Sequence, residues 1–195
     1  MMEISKEKKE KKKRIVSIWV CILIFIGAFF AGMISKVAIK PAWSTKYTAT
    51  WSEELGTKIT DISYGDEEAN KFDLYLPKDS TKDTYGLVIY LHAGGFTSGD
   101  KADDENMLAW LCSKGYVAAG INYTLRTDTN NASVLLQSNE IKEAIPIVVE
   151  EAKNRGYNID KMTVAGGSAG HALAMIYAYR DAQDAPVPVV FVFCQ

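Results

Sequence analysis

The chain has 195 residues, of which 48% are hydrophobic and 24% charged, with a formal net charge of -2. This balance belongs to folded globular proteins and excludes both a disordered polar chain and a polycationic nucleic-acid binder, so no nucleic-acid partner is expected. Three scattered cysteines are too few for a disulfide framework.

The first 14 residues form a basic tail in which Lys6, Lys8, Lys9, Lys11, Lys12, Lys13 and Arg14 crowd together. From Ile15 to Ile34 no residue is charged, and a helix of that length spans roughly 30 Å. Residues 15–34 therefore read as a transmembrane signal-anchor that inserts in the lipid bilayer. A cleaved signal peptide is the rival, but its apolar core is shorter and ends in a small-x-small site. The excess of Lys/Arg before the span predicts a cytoplasmic N-terminus and an extracytoplasmic C-terminal part. Residues 35–57, with Pro41, Trp43, Tyr47 and Trp51, read as a juxtamembrane linker.

Residues 58–195 form the remaining domain. Lys58 to Tyr64 and Lys71 to Leu76 alternate, with Phe72, Leu74 and Leu76 on one face and Asp73 and Tyr75 on the other, which predicts a half-buried antiparallel pair. Beyond Gly86 the pattern changes. The runs at 87–91, 116–121, 162–165 and 187–193 are continuously apolar, as strands covered on both faces are. Helical stretches at 103–113, 138–155 and 168–181 separate them, so an α/β class with a parallel sheet is implied. Pro146 predicts a kink in the second helix, and the nearly all-apolar third helix is expected deep in the fold. Cys21 falls in the span, Cys112 in a helix and Cys194 at a strand end, where a thiol usually behaves as a small buried apolar group.

The chemistry concentrates in Val164-Ala165-Gly166-Gly167-Ser168-Ala169-Gly170, where a strand runs through Gly-x-Ser-x-Gly into a helix. A serine hydroxyl becomes a nucleophile only if a base takes its proton and donors receive the charge that develops on the substrate oxygen. Gly166 and Gly170 leave room for a sharp strand-to-helix reversal that puts Ser168 at the tip, with the Ala169 amide at the positive end of the helix. A phosphate-binding turn would need Gly-x-Gly-x-x-Gly or Gly-Lys-Ser/Thr, and neither fits. Upstream, the first parallel strand delivers His92-Ala93-Gly94-Gly95-Phe96. Its paired glycines suit Gly94 and Gly95 as further oxyanion-hole amides. His92 is read as structural support for that loop, and His171, on the nucleophile helix, as packing.

These motifs resemble the α/β-hydrolase superfamily, in its carboxylesterase and lipase-like branch with a His-Gly-Gly-Gly-type loop. Phe72-Asp73-Leu74-Tyr75-Leu76-Pro77 and Asn122-Tyr123 are similar to that branch as well, while Ala93 stands where the family often has glycine. The resemblance implies the N-terminal part of a doubly wound α/β-hydrolase sheet, with an antiparallel hairpin preceding the parallel strands. Together with the anchor at 15–34 it implies a membrane-anchored serine hydrolase that cleaves small-molecule carboxylic esters through an acyl-enzyme on Ser168, needing no cofactor and no metal. The family's chain order continues from Ser to Asp or Glu and then His on later strand ends, whereas Asp181 and Asp184 sit at the end of the nucleophile helix. The triad Asp and His are therefore expected to be absent, the domain incomplete, and the 195-residue form inactive and marginally soluble. A peptidase or amidase on the same fold, and a non-catalytic hydrolase-like binding module, are the alternatives.

Overall fold

The computed structural model describes residues 2–38 and 47–194. They fall into two compact units, one holding the N-terminal helix and the other beginning at Tyr47. Helix α1 (Met2–Ala38) runs on both sides of the apolar run, because the Lys- and Glu-rich segment before it consists of good helix formers. Its stretch Lys11–Ser35 is long and apolar enough to cross a membrane. Pro41 and Trp43 of the expected linker lie outside the described residues.

The second unit is built on a six-stranded sheet in the order β1-β2-β4-β3-β5-β6. Strands β1 (Gly56–Ser63) and β2 (Lys71–Pro77) form the antiparallel hairpin, and β2 pairs antiparallel with β4 (Val117–Ile121). The remaining pairs join β3 (Tyr85–Leu91), β4, β5 (Ile159–Gly166) and β6 (Val189–Cys194) in parallel. Helix α2 (Glu105–Ser113) connects β3 to β4, α3 (Val134–Asn154) connects β4 to β5, and α4 (Ala169–Ile176) follows β5. The chain passes from β3 to β4 on one side and then crosses to β5 on the other, the topology in which doubly wound sheets place their ligands at the carboxyl ends of the central strands.

Alternation along the strands sorts the core into two layers. Leu87, Ile89 and Leu91 of β3 belong to a cluster with Ile141, Ile145 and Val148 of α3 and Leu173 and Ala174 of α4. Val88 and Tyr90 join Leu108, Leu111 and Cys112 of α2 on the other face. Burying each such aliphatic side chain contributes about 1.5–3 kcal/mol.

Several elements depart from expectation. Strand β2 is buried on both faces, with Asp73 and Tyr75 as inaccessible as Phe72 and Leu74, because it lies between β1 and β4 with α2 and α3 packed against it. Strand β6, expected to be covered, exposes Val190 and Phe191, since among the described residues it pairs only with β5. Cys194 is exposed rather than buried. The nearly all-apolar helix is half-buried: Leu173, Ala174 and Tyr177 face the core while Tyr179 is exposed, and the chain changes to a wider turn at Tyr177–Asp181. Helix α3 starts before the predicted residue, because the Ser133 side chain caps it by accepting from the Leu136 amide at 3.1 Å, and it continues through Pro146. From Tyr47 on, the stretch read as linker packs onto the domain, with Tyr47 edge-on to Trp110 and Trp51 edge-on to Tyr75.

At a bulge in β1, Asp61 adopts a left-handed conformation, and its amide donates to Asp73 Oδ1 at 2.9 Å. Buried Lys101 bridges both carboxylates, 2.9 Å from Asp61 and 3.0 Å from Asp73. Removing the cation leaves the Asp73 carboxylate buried and uncompensated, a change that costs about 3–5 kcal/mol. Lys101→Met is therefore expected to lower the urea midpoint of the domain by that equivalent, read by tryptophan fluorescence.

Candidate active site

With Gly167, Ser168 joins the end of β5 to the start of α4, exposed, with φ 47° and ψ -109°. A left-handed conformation is strained for a residue with a Cβ, and it persists where the surroundings over-determine it. Here the surroundings are close-packed backbone. A Cβ on Gly166 would meet the Gly170 carbonyl oxygen at 2.6 Å and the His171 amide nitrogen at 2.7 Å, and a Cβ on Gly170 would land on the Leu91 carbonyl. The Gly167 amide donates to Leu91 O at 3.2 Å, and the Gly170 amide to Gly167 O at 2.8 Å. Strand, turn and helix thus cross with no room for side chains, and Ser168 is forced outward. Ala169, the first residue of α4, has an amide without an intrahelical acceptor.

The loop after β3 reaches the same junction, because Leu91 is level with Gly166 in the parallel pair. Gly94, Gly95 and Phe96 have φ of 131°, 62° and 68°. Gly94 turns its carbonyl into the loop, where it accepts from the Thr97 amide at 3.1 Å and the Ser98 amide at 3.0 Å. A Cβ at Gly94 would strike the Ser98 carbonyl, whereas Gly95 has open space and needs glycine only for its backbone angles.

His92 is buried at the root of this loop, 1% exposed. Its Nδ1 lies 2.7 Å from the Ala93 carbonyl, and its ring stacks on Tyr123 with centroids 4.4 Å apart. The Tyr123 hydroxyl, pushed up to about 12 by burial, donates to His92 O at 3.0 Å. Burial also holds the His92 imidazole below its ordinary value, outweighing the Ala93 hydrogen bond and the carboxylates of Asp100 and Asp103. A neutral ring that donates Nδ1–H to Ala93 fits this environment, and it leaves Nε2 buried without a hydrogen-bond partner. His171 is half-buried on α4, and its Nδ1 is buried without a hydrogen-bond partner. Asp181 is buried and tied to Arg180 at 2.7 Å and Lys142 at 3.3 Å, while Asp184 lies 3.0 Å from Lys142.

The structure therefore gathers Ser168, Ala169, Gly166 and Gly170 with the root of the His92–Gly95 loop, and leaves Asp181 and Asp184 in ion pairs on the flank of α3 and α4. Sequence reasoning missed what supports the loops. Glu140 of α3, also buried, accepts from Asn70 Nδ2 at 3.1 Å and from the Thr124 amide and hydroxyl at 2.8 and 2.5 Å. Its signal was a carboxylate on the apolar stripe of an amphipathic helix. Beside His92 a pocket of about 300 Å³ opens toward Asp100, Asn122 and Tyr123. Asn122 joins its walls, donating to Asp100 at 2.7 Å and accepting from the Lys101 amide at 2.6 Å. Among the described residues no group of three or more His, Cys, Asp or Glu could hold a metal ion.

Two outcomes follow from this packing. Gly170→Ala is expected to displace α4 from β3 and unfold the elbow, lowering the melting temperature well beyond the few tenths of a kcal/mol typical of surface changes. His92, depressed in the folded state, contributes stability that is complete above its ordinary 6.5 and is lost as pH falls toward the depressed value. Melting temperatures of the wild type should thus fall more steeply below that pH than those of His92→Phe, whose ring still stacks on Tyr123 but cannot titrate.

Among proteins of known function, the chain is similar to the kynurenine formamidase of Danio rerio, 30% identical over 124 residues that make up 63% of this chain and 39% of that protein. It is also similar to the kynurenine formamidase of Salmo salar, 27% identical over 137 residues, 70% of this chain and 44% of that one. The chain spans about two fifths of the length of these relatives. Its fold is that of esterase B from Lactobacillus rhamnosis, with a TM-score of 0.63 and 21% identity, covering 89% of this chain and 56% of that one. The same holds for Thermogutta terrifontis esterase 2 phosphorylated by paraoxon, at a TM-score of 0.57 and 21% identity over 72% of this chain and 57% of the other. The BD-FAE family model matches residues 72–187, more than half of the chain, from β2 through the segment leading into β6. With that match laid over a hairpin followed by parallel strands, the chain belongs to the BD-FAE family and carries the α/β-hydrolase fold.

Proposed function

We propose that this protein is a membrane-anchored serine hydrolase whose nucleophile is Ser168. The observation that carries this reading is the exposed, left-handed Ser168 at the start of α4. A module that only bound a partner would have no use for that strain. In the reaction, Ser168 Oγ attacks the ester carbonyl as a general base, imidazole in the experiment below, takes its proton and later hands it to the leaving alcohol. The negative charge on the carbonyl oxygen is received by the amides of Ala169, Gly94 and Gly95, each worth about 2.7–4 kcal/mol to the transition state. Collapse expels the alcohol with a proton, and water then cleaves the acyl-enzyme to release the acid and regenerate the serine.

The curated similarity to formamidases supports a second reading, hydrolysis of a formamide on the same serine. The acyl-enzyme chemistry is common to both, because fold does not fix the leaving group. The basic residues ahead of the apolar stretch of α1 support an extracytoplasmic side for the unit from Tyr47 on.

Within the 195 residues neither histidine is committed to Ser168: His92 is engaged with Ala93 and Tyr123, and His171 rides three residues along the same helix. Turnover of p-nitrophenyl acetate by the detergent-solubilised chain is therefore expected to match that of Ser168→Ala at neutral pH. Added imidazole, supplying the proton acceptor, should restore a Ser168-dependent rate above the imidazole background. A comparison of phenyl acetate with formanilide under that rescue tells ester from formamide preference. Serine-dependent turnover without imidazole would overturn the assignment of the two histidines, and fluorophosphonate labelling that persists in Ser168→Ala would overturn the nucleophile.

A further inference from the structure

One of the bonds that hold the loop that would receive the oxyanion comes from a distant side chain. Gln137 on α3 is fully buried, and its Nε2 donates to two carbonyls, Phe96 O at 3.0 Å and Thr124 O at 2.8 Å. Phe96 O also accepts from the Arg126 amide at 2.9 Å. Phe96 is the residue that follows Gly95, and unlike Gly94 and Gly95 it adopts its left-handed conformation with a Cβ. Two donors on its carbonyl set the orientation of the peptide that closes the turn, against the preference of its own backbone.

Gln137 does this at a disadvantage to the core. Its Oε1 is buried with no hydrogen-bond partner, which penalises a glutamine relative to an apolar residue of the same shape. The side chain is thus better explained by what its two N–H groups hold than by what it adds to packing. Glu140, one turn further along the same helix, fixes the amide of Thr124 while Gln137 fixes its carbonyl. The exit from β4 and the loop after β3 are in this way hung from one face of α3.

We propose that Gln137 is a positioning residue for the oxyanion site: by clamping the Phe96 carbonyl it keeps Gly94 and Gly95 in the turn that offers their amides to the tetrahedral oxygen at Ser168. The proposal rests on the reading of those amides given under Proposed function. It gives the loop a conformation set from outside, by a side chain 41 residues away, rather than by its glycines alone.

The test is the second-order rate of fluorophosphonate labelling of Ser168 in the detergent-solubilised full chain at alkaline pH, where hydroxide takes the serine proton and the phosphoryl oxygen seeks the oxyanion donors. Gln137→Met, which keeps the volume, and Gln137→Glu, which turns the donor into an acceptor, are each expected to slow labelling by about 10- to 100-fold, the range for a misplaced reacting group. Phe96→Gly removes the backbone preference that the clamp opposes. In that background Gln137→Met should change the rate by less than about threefold. Equal losses in the two backgrounds would show that Gln137 serves stability alone and would overturn the proposal, as would unchanged rates in both single variants. Far-UV dichroism selects the folded variants, and Gln137→Glu stands in should Gln137→Met fail to fold. A wild type that labels no faster than an unstructured serine peptide would remove the oxyanion reading itself, whereas a fast wild type with unaffected variants removes only the role of Gln137.

Discussion

The close approach of α4 to the end of β3, with Gly170 lying against the Leu91 carbonyl, is the contact on which the rest of the site depends. It requires a residue without a Cβ, and it leaves the chain between β5 and α4 only two residues in which to reverse direction. Gly167 takes the inner position, its amide bonded to Leu91, so Ser168 must take the outer one in a conformation that it would not choose. The strain at the serine is thus a consequence of helix packing. The register of β3 on β5, Leu91 against Gly166, then decides that the loop after β3 begins where the serine emerges.

Around this junction the structure adds to apolar packing a set of polar ties that run from buried His92 and Tyr123 out to exposed Asp100. His92 bonds to the next carbonyl and stacks on Tyr123, Tyr123 returns a hydrogen bond to His92, and Asn122 links Asp100 to Lys101. Lys101 in turn reaches the hairpin through Asp61 and Asp73. Low local dielectric makes the buried ones, at His92, Tyr123 and the Lys101–Asp73 pair, stronger than they would be in water and each missing partner there more costly. The loop at the carboxyl end of β3 is consequently anchored at its base although Ala93, Gly95, Thr97 and Ser98 are exposed. It is fastened to β1 and β2 on one side and to α3 on the other.

The parts legible in the sequence are those whose cause is local. Gly166, Ser168 and Gly170 lie within five residues, and the glycines at 94 and 95 follow directly from an apolar strand, so composition and spacing alone point to an elbow and a facing loop. The hairpin and the parallel strands carry their periods within each segment. What escaped is set by distant partners. Asp73 looked solvent-facing because the lysine that neutralises it comes from beyond β3, and β6 looked covered because its run is apolar although Val190 and Phe191 are exposed. Gln137 falls outside the helix expected at 138–155 and Glu140 carries no local signal of what it holds, because their partners lie 41 and 70 residues away. Ser133 was missed as a cap because the residues after it, Val134 to Leu136, are exposed apolar side chains that do not show the helical face.

The strand order has a further consequence for how the fold is assembled. Strand β3 finds both of its neighbours, β4 and β5, later in the chain, and β2 pairs with β4 rather than with β3. As the chain emerges in synthesis, the His92–Phe96 loop is therefore made well before the strand and helix that give it a function. Its backbone has no seat until α3 has docked and β5 has paired. Non-local pairing of this kind is slow, because loop closure precedes its reward. The serine and the loop that faces it come together only when β5 pairs with β3, so a chain arrested short of that step holds every residue of the motif and none of the site.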